Sequence, residues 1–268
     1  MASILVIQAL FFADGGLLAL GCNIFNLGFW ACFIVYPLIY KPITGGRLTR
    51  NRILWGSVIG AIAGLQLGAF SVVLETVGSG ITELPFGTFV AAMLPIHLAI
   101  GIVEGLVTAA VVLFVYQARP EVLQNAVLPA DQKSIRFVAV SLLAAAIFTG
   151  GIVSWFASAH PDGLEWSMFR VSGKEELDSP EEGIHTTLAK VQEKTAVLPD
   201  YGLKESGAET DEPEGEHWPA VNAGTTLSGL VGGLLTFLLA IAAGLLLKPG
   251  FRKKLIPGGR HSSNTNTA

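Results

Sequence analysis

The sequence predicts an all-α membrane protein: a helical bundle of about five full spanning helices, a partial N-terminal helix and one acidic extracytoplasmic insert. The first observation is composition, because 51% of the 268 residues are hydrophobic and only 14% are charged, against about 25% charged residues in an average soluble protein. The second is a series of long apolar runs, and the third is the concentration of acidic residues in one segment.

A run of about 20 apolar residues crosses the roughly 30 Å hydrocarbon core of a bilayer as one helix. Four runs meet this length without a charged residue. They are 16–40, 53–74, 137–159 and 224–247. A fifth run, 86–117, also has the length to span but contains Pro95, His97 and Glu104. We expect a spanning helix there that is broken or kinked near the proline.

The first apolar run, 2–13, is different because it has only 12 residues. A helix of that length covers about 18 Å, which is too short to span. The run also lacks the basic start and the small-residue cleavage site of a signal peptide. We interpret it as the second half of a spanning helix whose first half is absent.

Charge is distributed unevenly along the chain. Residues 159–218 hold 15 of the 21 acids and 5 of the 17 basic residues, a net charge of −10, so the rest of the chain carries +6. Basic and acidic connections alternate, and the positive-inside rule makes the basic ones cytoplasmic. We therefore expect a cytoplasmic linker at 119–136, an extracytoplasmic insert at 160–223 and a cytoplasmic tail at 249–268. The overall charge of −4 excludes a basic nucleic-acid binder.

Glycines recur at every fourth position in two of the apolar runs, which places them on one helical face. They are Gly56, Gly60, Gly64 and Gly68 in one run and Gly101 and Gly105 in the next. Such a stripe lets a neighbouring backbone approach closely, so we expect helix packing within the chain. A dimer interface, or docking of a partner's helix, is the alternative.

Polar residues within apolar runs are costly in lipid, so each is a candidate for function. Asp14 precedes two glycines, which predict a break between two helices at the outer surface. Asp14 either caps the following helix or is an acid beside a substrate path. Asn23 and Asn26 are expected to form hydrogen bonds between helices. His97 and Glu104 lie two helical turns apart on one face, about 10 Å between Cα atoms, too far to share one metal ion directly.

Several common catalytic motifs are absent from the sequence. It contains no His-Glu-x-x-His, no Gly-x-Ser-x-Gly and no Gly-x-x-x-x-Gly-Lys-Ser/Thr, so a zincin, an α/β-hydrolase and a phosphate-loop ATPase are all unsupported. Cys22 and Cys32 both fall in one apolar run, and we expect small buried hydrophobes rather than a disulfide or a zinc site.

The insert contains His160, His185 and His217 among many carboxylates, a mixture that could collect divalent cations loosely. A solvated acidic loop is the favoured interpretation. Apolar residues within 184–191 are spaced for one face of a short helix.

Three segments resemble one family of transport proteins. Residues 8–17 together with 20–26 resemble the membrane substrate-capture proteins of cobalt and nickel energy-coupling-factor transporters, the CbiM/NikM type, and 94–108 resemble a second signature of that family. The third segment resembles the motif that opens the outer domain of the small companion subunit, the CbiN/NikN type or PDGLE domain. Its residues are Pro161, Asp162, Gly163, Leu164 and Glu165.

The resemblance implies a capture region at 1–118 fused, through the 119–136 linker, to a companion domain at 137–248. It implies a multi-pass protein of the cell membrane that takes Ni²⁺ or Co²⁺ from outside as transported substrate, with no permanently bound cofactor. The implied partners are a transmembrane coupling subunit and a pair of cytoplasmic ATPases, which would hydrolyse the ATP. No nucleic acid is implied.

The chain departs from the family at its metal ligands. In the family these come mainly from an N-terminal Met-His segment and from a histidine in a Gly-rich stretch ahead of the Gln-Ala-Leu motif. Met1-Ala2 does not match, and Gln8 follows only seven residues, so none of the family ligands is present. A miscalled start, a separate polypeptide that supplies the missing half, and a degenerate fragment remain open, as does His97 as a replacement ligand.

Two other function classes compete with a transporter subunit. One is an intramembrane enzyme that uses His97, Glu104 and Asp14. The other is a non-transporting outer binding module on a membrane anchor. The sequence does not distinguish nickel from cobalt.

Overall fold

A computed structural model describes residues 1–45, 48–80, 84–120, 123, 132–157, 160–175, 183–203, 219 and 221–247. Over these residues every regular element is a helix, which confirms the all-α prediction. The helices are, in chain order, α1 (Ala2–Phe11), α2 (Leu20–Thr44), α3 (Arg50–Gly78), α4 (Phe86–Ala118), α5 (Gln132–Gly151), α6 (Gly163–Ser172), α7 (Ile184–Thr195) and α8 (Ala223–Leu247).

Four helices of the described part, α2, α3, α4 and α8, are long and apolar enough to cross a membrane, and the chain is a multi-pass membrane protein. The predicted span 137–159 is shorter than expected. Its apolar helical part ends at Gly151 and gives way to a 3₁₀ turn at Val153–Phe156. The consecutive glycines 150 and 151 account for this end, since glycine weakens a helix interior.

The short first helix ends where the Gly-Gly pair predicts a break. Helix α1 stops at Phe11, and Ala13 and Gly15 adopt left-handed φ angles of 57° and 65° before α2 begins. Helix α2 is α-helical at both ends and has wider, π-type hydrogen bonding over Phe25–Tyr40. Of the two alternatives expected at Pro95, a break or a kink, the break is wrong, because α4 continues through this residue.

The glycine stripe of α3 faces α2 along its whole length. A Cβ added at Gly68 would lie 2.6 Å from the Asn26 carbonyl oxygen, and one at Gly56 would lie 3.0 Å from the Thr44 side chain. Between these ends, Gly60 and Gly64 meet α2 only at ordinary contact distances of 3.6 and 4.0 Å. The two antiparallel helices are therefore in closest contact near their ends and leave more room between.

Helix α4 packs on the neighbouring face of α3. A Cβ at Gly101 would lie 3.0 Å from the Cα of Ile62, and one at Gly105 would lie 2.6 Å from the Cα of Val58. These distances leave no room for a side chain, so the two backbones touch directly. The three helices α2, α3 and α4 form one bundle with α3 in the middle.

The two helices that flank the insert pair with each other. Gly150 of α5 and Gly229 of α8 cross so closely that neither could carry a Cβ without moving the partner backbone. Above this crossing, Trp155 Nε1 donates to Thr226 Oγ1 at 2.7 Å, and that hydroxyl donates to the Gly151 carbonyl at 3.0 Å.

Helix α6 of the insert lies against one end of the three-helix bundle. Its apolar residues pack against a buried cluster from α3, α4 and the segment before α4. The cluster is Ala69, Val73, Leu84, Phe89 and Met93, and the residues of α6 that meet it are Leu164, Met168 and Val171. The insert is therefore joined to the bundle by apolar contacts.

Candidate functional site

A cavity of about 1410 Å³ opens between α2, α3, α4 and the start of α6. Its lining includes Gly56, Gly60 and Gly64 of the glycine stripe. Several of its lining residues are polar, in a part of the chain that is otherwise apolar. Among them are Asn26, Tyr40, Ser57, His97, Glu104 and Asp162. The cavity thus gathers most of the residues that the sequence marks as candidates, while Asp14 and Asn23 lie outside it.

The imidazole of His97 has a fixed orientation in this cavity. Its Nδ1 lies 2.8 Å from the carbonyl oxygen of Met93, one turn earlier in α4. A carbonyl oxygen only accepts hydrogen bonds, so Nδ1 carries the proton in the neutral ring and Nε2 keeps its lone pair. Histidines that bind metals typically donate the N–H of the other ring nitrogen in this way. A histidine in any helix can also form this hydrogen bond.

The outer edge of His97 is covered by Gly163. A Cβ at this glycine would lie 3.1 Å from His97 Cε1, 3.4 Å from Nε2 and 3.0 Å from Cδ1 of Ile100. Only glycine permits this approach without displacing the ring or the isoleucine. The close contact gives a physical reason for the glycine in the Pro-Asp-Gly-Leu-Glu motif.

The rest of the motif starts helix α6. Asp162 Oδ1 accepts from the backbone N–H groups of Leu164 and Glu165 at 2.8 and 2.9 Å, and the Glu165 carboxylate accepts from the Asp162 N–H at 3.0 Å. This reciprocal capping box satisfies donors that a helix start would leave unpaired. Leu164 then enters the buried cluster, so the motif both caps α6 and docks it on the bundle.

Glu104 lines the same cavity as His97, two turns further along α4. No group of three or more His, Cys, Asp or Glu residues in the described part of the chain is arranged to hold a metal ion. His160 and His185 belong to that part, whereas His217 lies outside the described residues. The described histidines therefore do not support a loose cation site in the insert.

Asp14 does not cap the following helix, so that interpretation is wrong. The residue before α2 is Ala19, which has no capping side chain. Instead, Asp14 Oδ2 accepts hydrogen bonds from Gln8 Nε2 at 3.2 Å and from the hydroxyl of Tyr201. Gln8 also donates to the Tyr201 hydroxyl at 3.2 Å. The three side chains form a closed network between α1 and the insert.

Backbone contacts hold the same part of the insert on α1. The N–H groups of Val197 and Leu198 donate to the Phe11 carbonyl, and the N–H of Asp200 donates to the Phe12 carbonyl at 2.9 Å. Carbonyls at a helix C-terminus have no partner within the helix, so the insert satisfies the free end of α1. We call residues 197–201 the docking segment.

Tyr201 anchors the docking segment. Its ring stacks on Phe12 with 4.7 Å between centroids. Burial and the hydrogen bond to Asp14 raise the pKa of the Tyr201 hydroxyl to about 12. The hydroxyl therefore stays protonated, and donates to Asp14, far above neutral pH. Sequence reasoning missed Tyr201, because a tyrosine in a polar loop carries no sign of a partner 187 positions away.

Comparison with known families divides the chain into two regions. Residues 1–122 match the model of the cobalt uptake substrate-specific transmembrane region, CbiM, and residues 136–249 match the PDGLE domain. The chain carries a CbiM-type transmembrane region followed by a PDGLE domain. No solved structure matches it.

Two relatives illustrate the match. A protein of Archaeoglobus fulgidus named as a fused nickel transport protein, NikMN, is 28% identical over 248 residues, which cover 90% of this chain and 69% of the relative. A cobalt transport protein CbiM of Sorangium cellulosum is 31% identical over 128 residues, which cover 45% of this chain and 54% of that protein. The chain thus spans about half the length of its CbiM-type relative.

With the two regions identified, the contacts described above become interfaces between them. Gly163 of the PDGLE domain covers His97 of the CbiM-type region. Tyr201 of the PDGLE domain binds Asp14 of the CbiM-type region. The PDGLE domain therefore contacts the CbiM-type region at His97 and at Asp14.

A further polar cluster lies within the CbiM-type region, between α2 and α3. Asn26 Nδ2 donates to Glu75 Oε2 at 2.9 Å, which joins the two helices. The Cys22 thiol lies beside the same carboxylate. Cys22 and Cys32 are both exposed, so the expectation that they are buried is wrong. Asn23 has no side-chain hydrogen bond to any described residue, so it does not join helices as Asn26 does.

Sequence reasoning also missed Glu75. This residue follows the apolar run 53–74 directly. Helix α3 continues to Gly78, which brings Glu75 onto the helix face that meets Asn26. An acid one residue beyond an apolar run, on the same helical face as the Gly68 position, is the signal that could have found it.

Proposed function

We propose that this chain is the membrane capture component of an ATP-driven nickel or cobalt uptake transporter of the energy-coupling-factor type. It receives the cation from outside the cell membrane. A transmembrane coupling subunit and a pair of cytoplasmic ATPases drive release inward. The transported ion is substrate, and no permanently bound cofactor is part of the proposal.

The observation that carries the proposal is the contact between the PDGLE motif and the CbiM-type region. Gly163 packs against His97, and both residues line the polar cavity. The PDGLE motif and the CbiM-type region therefore form this cavity together. The names of the relatives, nickel and cobalt transport proteins, supply the substrate class. They also favour a transporter subunit over an intramembrane enzyme.

The proposed orientation rests on charge. Lys41, Arg50 and Arg52 cluster where α2 meets α3, and positive residues favour the cytoplasmic side. The insert 160–223 then faces outward, and the linker 119–136 and tail 249–268 face the cytoplasm. The domain limits proposed here are 1–118 for the capture region and 137–248 for the companion domain.

The test is cation accumulation by cells that express the chain with its coupling subunit and ATPases. Uptake of ⁶³Ni²⁺ or ⁵⁷Co²⁺ should require this chain and an intact ATPase. Uptake that is unchanged after deletion of the chain alone would overturn the proposal. The variant H97A separates the enzyme alternative, which predicts loss of hydrolysis of a lipid or peptide with no effect on metal uptake.

A further inference from the structure

We propose that the cavity between α2, α3, α4 and the start of α6 is a water-filled passage along the bundle. In this passage the Glu104 carboxylate holds the divalent cation, Ni²⁺ or Co²⁺, near the middle of the membrane. The inference rests on the proposed function, because it takes this cation to be the transported ion.

The cavity extends along much of the length of the three helices. On α4 its lining runs from His97 to Val112, which is about 22 Å at about 1.5 Å per residue. One end reaches Gly163 of the PDGLE motif, and the other reaches Thr49 in the connection between α2 and α3. The cavity therefore extends over most of the roughly 30 Å core of a bilayer.

One face of α4 forms a wall of the passage. The lining residues of this helix are His97, Ile100, Glu104, Thr108 and Val112, and their intervals of three or four residues place them on one helical face. Glu104 is the only charged residue of the whole helix. An ionisable residue inside a spanning helix normally faces the bundle interior or a water-filled cavity and marks an ion pathway. Glu104 occupies such a position on this wall.

The Glu104 carboxylate is available to a cation. It is exposed, and no hydrogen bond or ion pair links it to a described residue. The other charged side chains of the lining are Lys41, toward the end away from the PDGLE motif, and Asp162, which caps α6. Carboxylates are common ligands of divalent metal ions, and an unpaired carboxylate is costly in lipid. A cation in water beside Glu104 removes this cost.

Two polar groups near the PDGLE end of the cavity indicate water there. Asn26 is only 4% exposed, its Nδ2 donates to Glu75 outside the lining, and its Oδ1 has no hydrogen-bond partner among the described residues. His97 Nε2 keeps its lone pair, because Nδ1 faces the Met93 carbonyl. Buried polar atoms without a protein partner normally bind ordered water. Both residues line the cavity, so water or a hydrated ion in it supplies the partner.

The test is thiol labelling at two neighbouring positions of α4, in a chain whose own cysteines are removed by C22S and C32S. Thr108 lines the cavity, whereas Val107 is exposed but does not line it. Methanethiosulfonate reagents react with thiolates, which form in water and not in lipid. In membrane fragments open on both sides, we expect T108C to react at least tenfold faster than V107C. Equal reaction rates would overturn the passage.

The charge of the reagent tests Glu104. Thr108 is one turn from Glu104, so a cationic reagent should label T108C at least fivefold faster than an anionic one, relative to their rates with a free thiol in solution. E104Q should abolish this preference while labelling persists. Saturating Co²⁺ should slow cationic labelling of T108C, but not in the E104Q background. A preference that survives in E104Q, or labelling that Co²⁺ does not slow, would overturn the role of Glu104.

Co-expression with the coupling subunit separates a passage from a groove that holds a partner's helix. Labelling of T108C that persists in the presence of this subunit supports the passage. Labelling that is lost whenever the subunit is present would show that its helix fills the cavity, and the passage would be wrong.

Uptake assays distinguish failure of this inference from failure of the proposed function. We expect E104Q to lower the initial rate of ⁶³Ni²⁺ or ⁵⁷Co²⁺ uptake at least tenfold, and E104D to retain part of it. If cells accumulate the cation through this chain but E104Q transports as wild type does, the role of Glu104 is wrong and the transport function stands. If T108C shows the cation preference while uptake does not require the chain, the passage stands and the transport function fails.

Discussion

Replacement of Tyr201 by phenylalanine should release the docking segment of the PDGLE domain from α1. The change removes one hydroxyl, which donates to Asp14 and accepts from Gln8. Phenylalanine keeps the ring, so the stacking on Phe12 is retained. The effect of the hydroxyl can therefore be measured apart from the apolar contact.

The structure sets the size of the effect. A hydrogen bond to a charged group contributes about 1.5–3 kcal/mol. Tyr201 is only half-buried, which favours the lower part of that range, about 1.5–2 kcal/mol. Since every 1.4 kcal/mol is a factor of ten, the population in which residues 197–201 are undocked should rise roughly 10- to 30-fold.

Amide hydrogen exchange measures this population directly. The N–H groups of Val197, Leu198 and Asp200 are bonded to α1 only while the segment is docked, so their protection reports its opening. We expect Y201F to lower their protection by the same 10- to 30-fold. The control is Y36F, because Tyr36 is exposed on α2 and stacks on Tyr40 of the same helix. Equal protection in Y201F and wild type would refute the reasoning.

Three further predictions concern packing, pH and capping. G68A should lower the stability measured by thermal unfolding by about 1–3 kcal/mol, because its Cβ would lie 2.6 Å from the Asn26 carbonyl oxygen. The control G233A should change stability little, because Gly233 has open space around it. Equal effects of the two changes would contradict the packing of α3 on α2. The Tyr201 pKa of about 12 lies above its ordinary value of 10, so the hydroxyl stabilises the fold fully below pH 10. The stability advantage of wild type over Y201F should disappear between pH 10 and 12, and a constant difference would count against it. D162A should cost about 0.5–2 kcal/mol through loss of the α6 cap, seen as faster exchange of the Leu164 and Glu165 amides.

The sequence predicts those features that depend on neighbours along the chain. Long apolar runs identify the spans α2, α3, α4 and α8 because a bilayer sets their length, and the Gly15–Gly16 pair predicts the break after α1. The spacing of Gly56 to Gly68 predicts a close helix contact on one face, and the structure has α2 on that face. In each case the physical cause acts within a few turns of helix.

Features that depend on distant parts of the chain were not predictable in the same way. The bond between Asp14 and Tyr201 joins residues 187 positions apart, so the local pattern around Asp14 suggested a helix cap instead. The contact of Gly163 with His97 likewise requires the packing of α6 on the bundle. The π-type backbone of Phe25–Tyr40 also has no sequence signal that we recognise.

The most direct test of the account is the accumulation of ⁶³Ni²⁺ and ⁵⁷Co²⁺ in cells that carry the coupling subunit and ATPases, with and without this chain. The account predicts ATP-dependent accumulation of at least one of these cations that is lost when the chain is deleted and restored when it is returned. Accumulation of both cations at the same rate with and without the chain would contradict it.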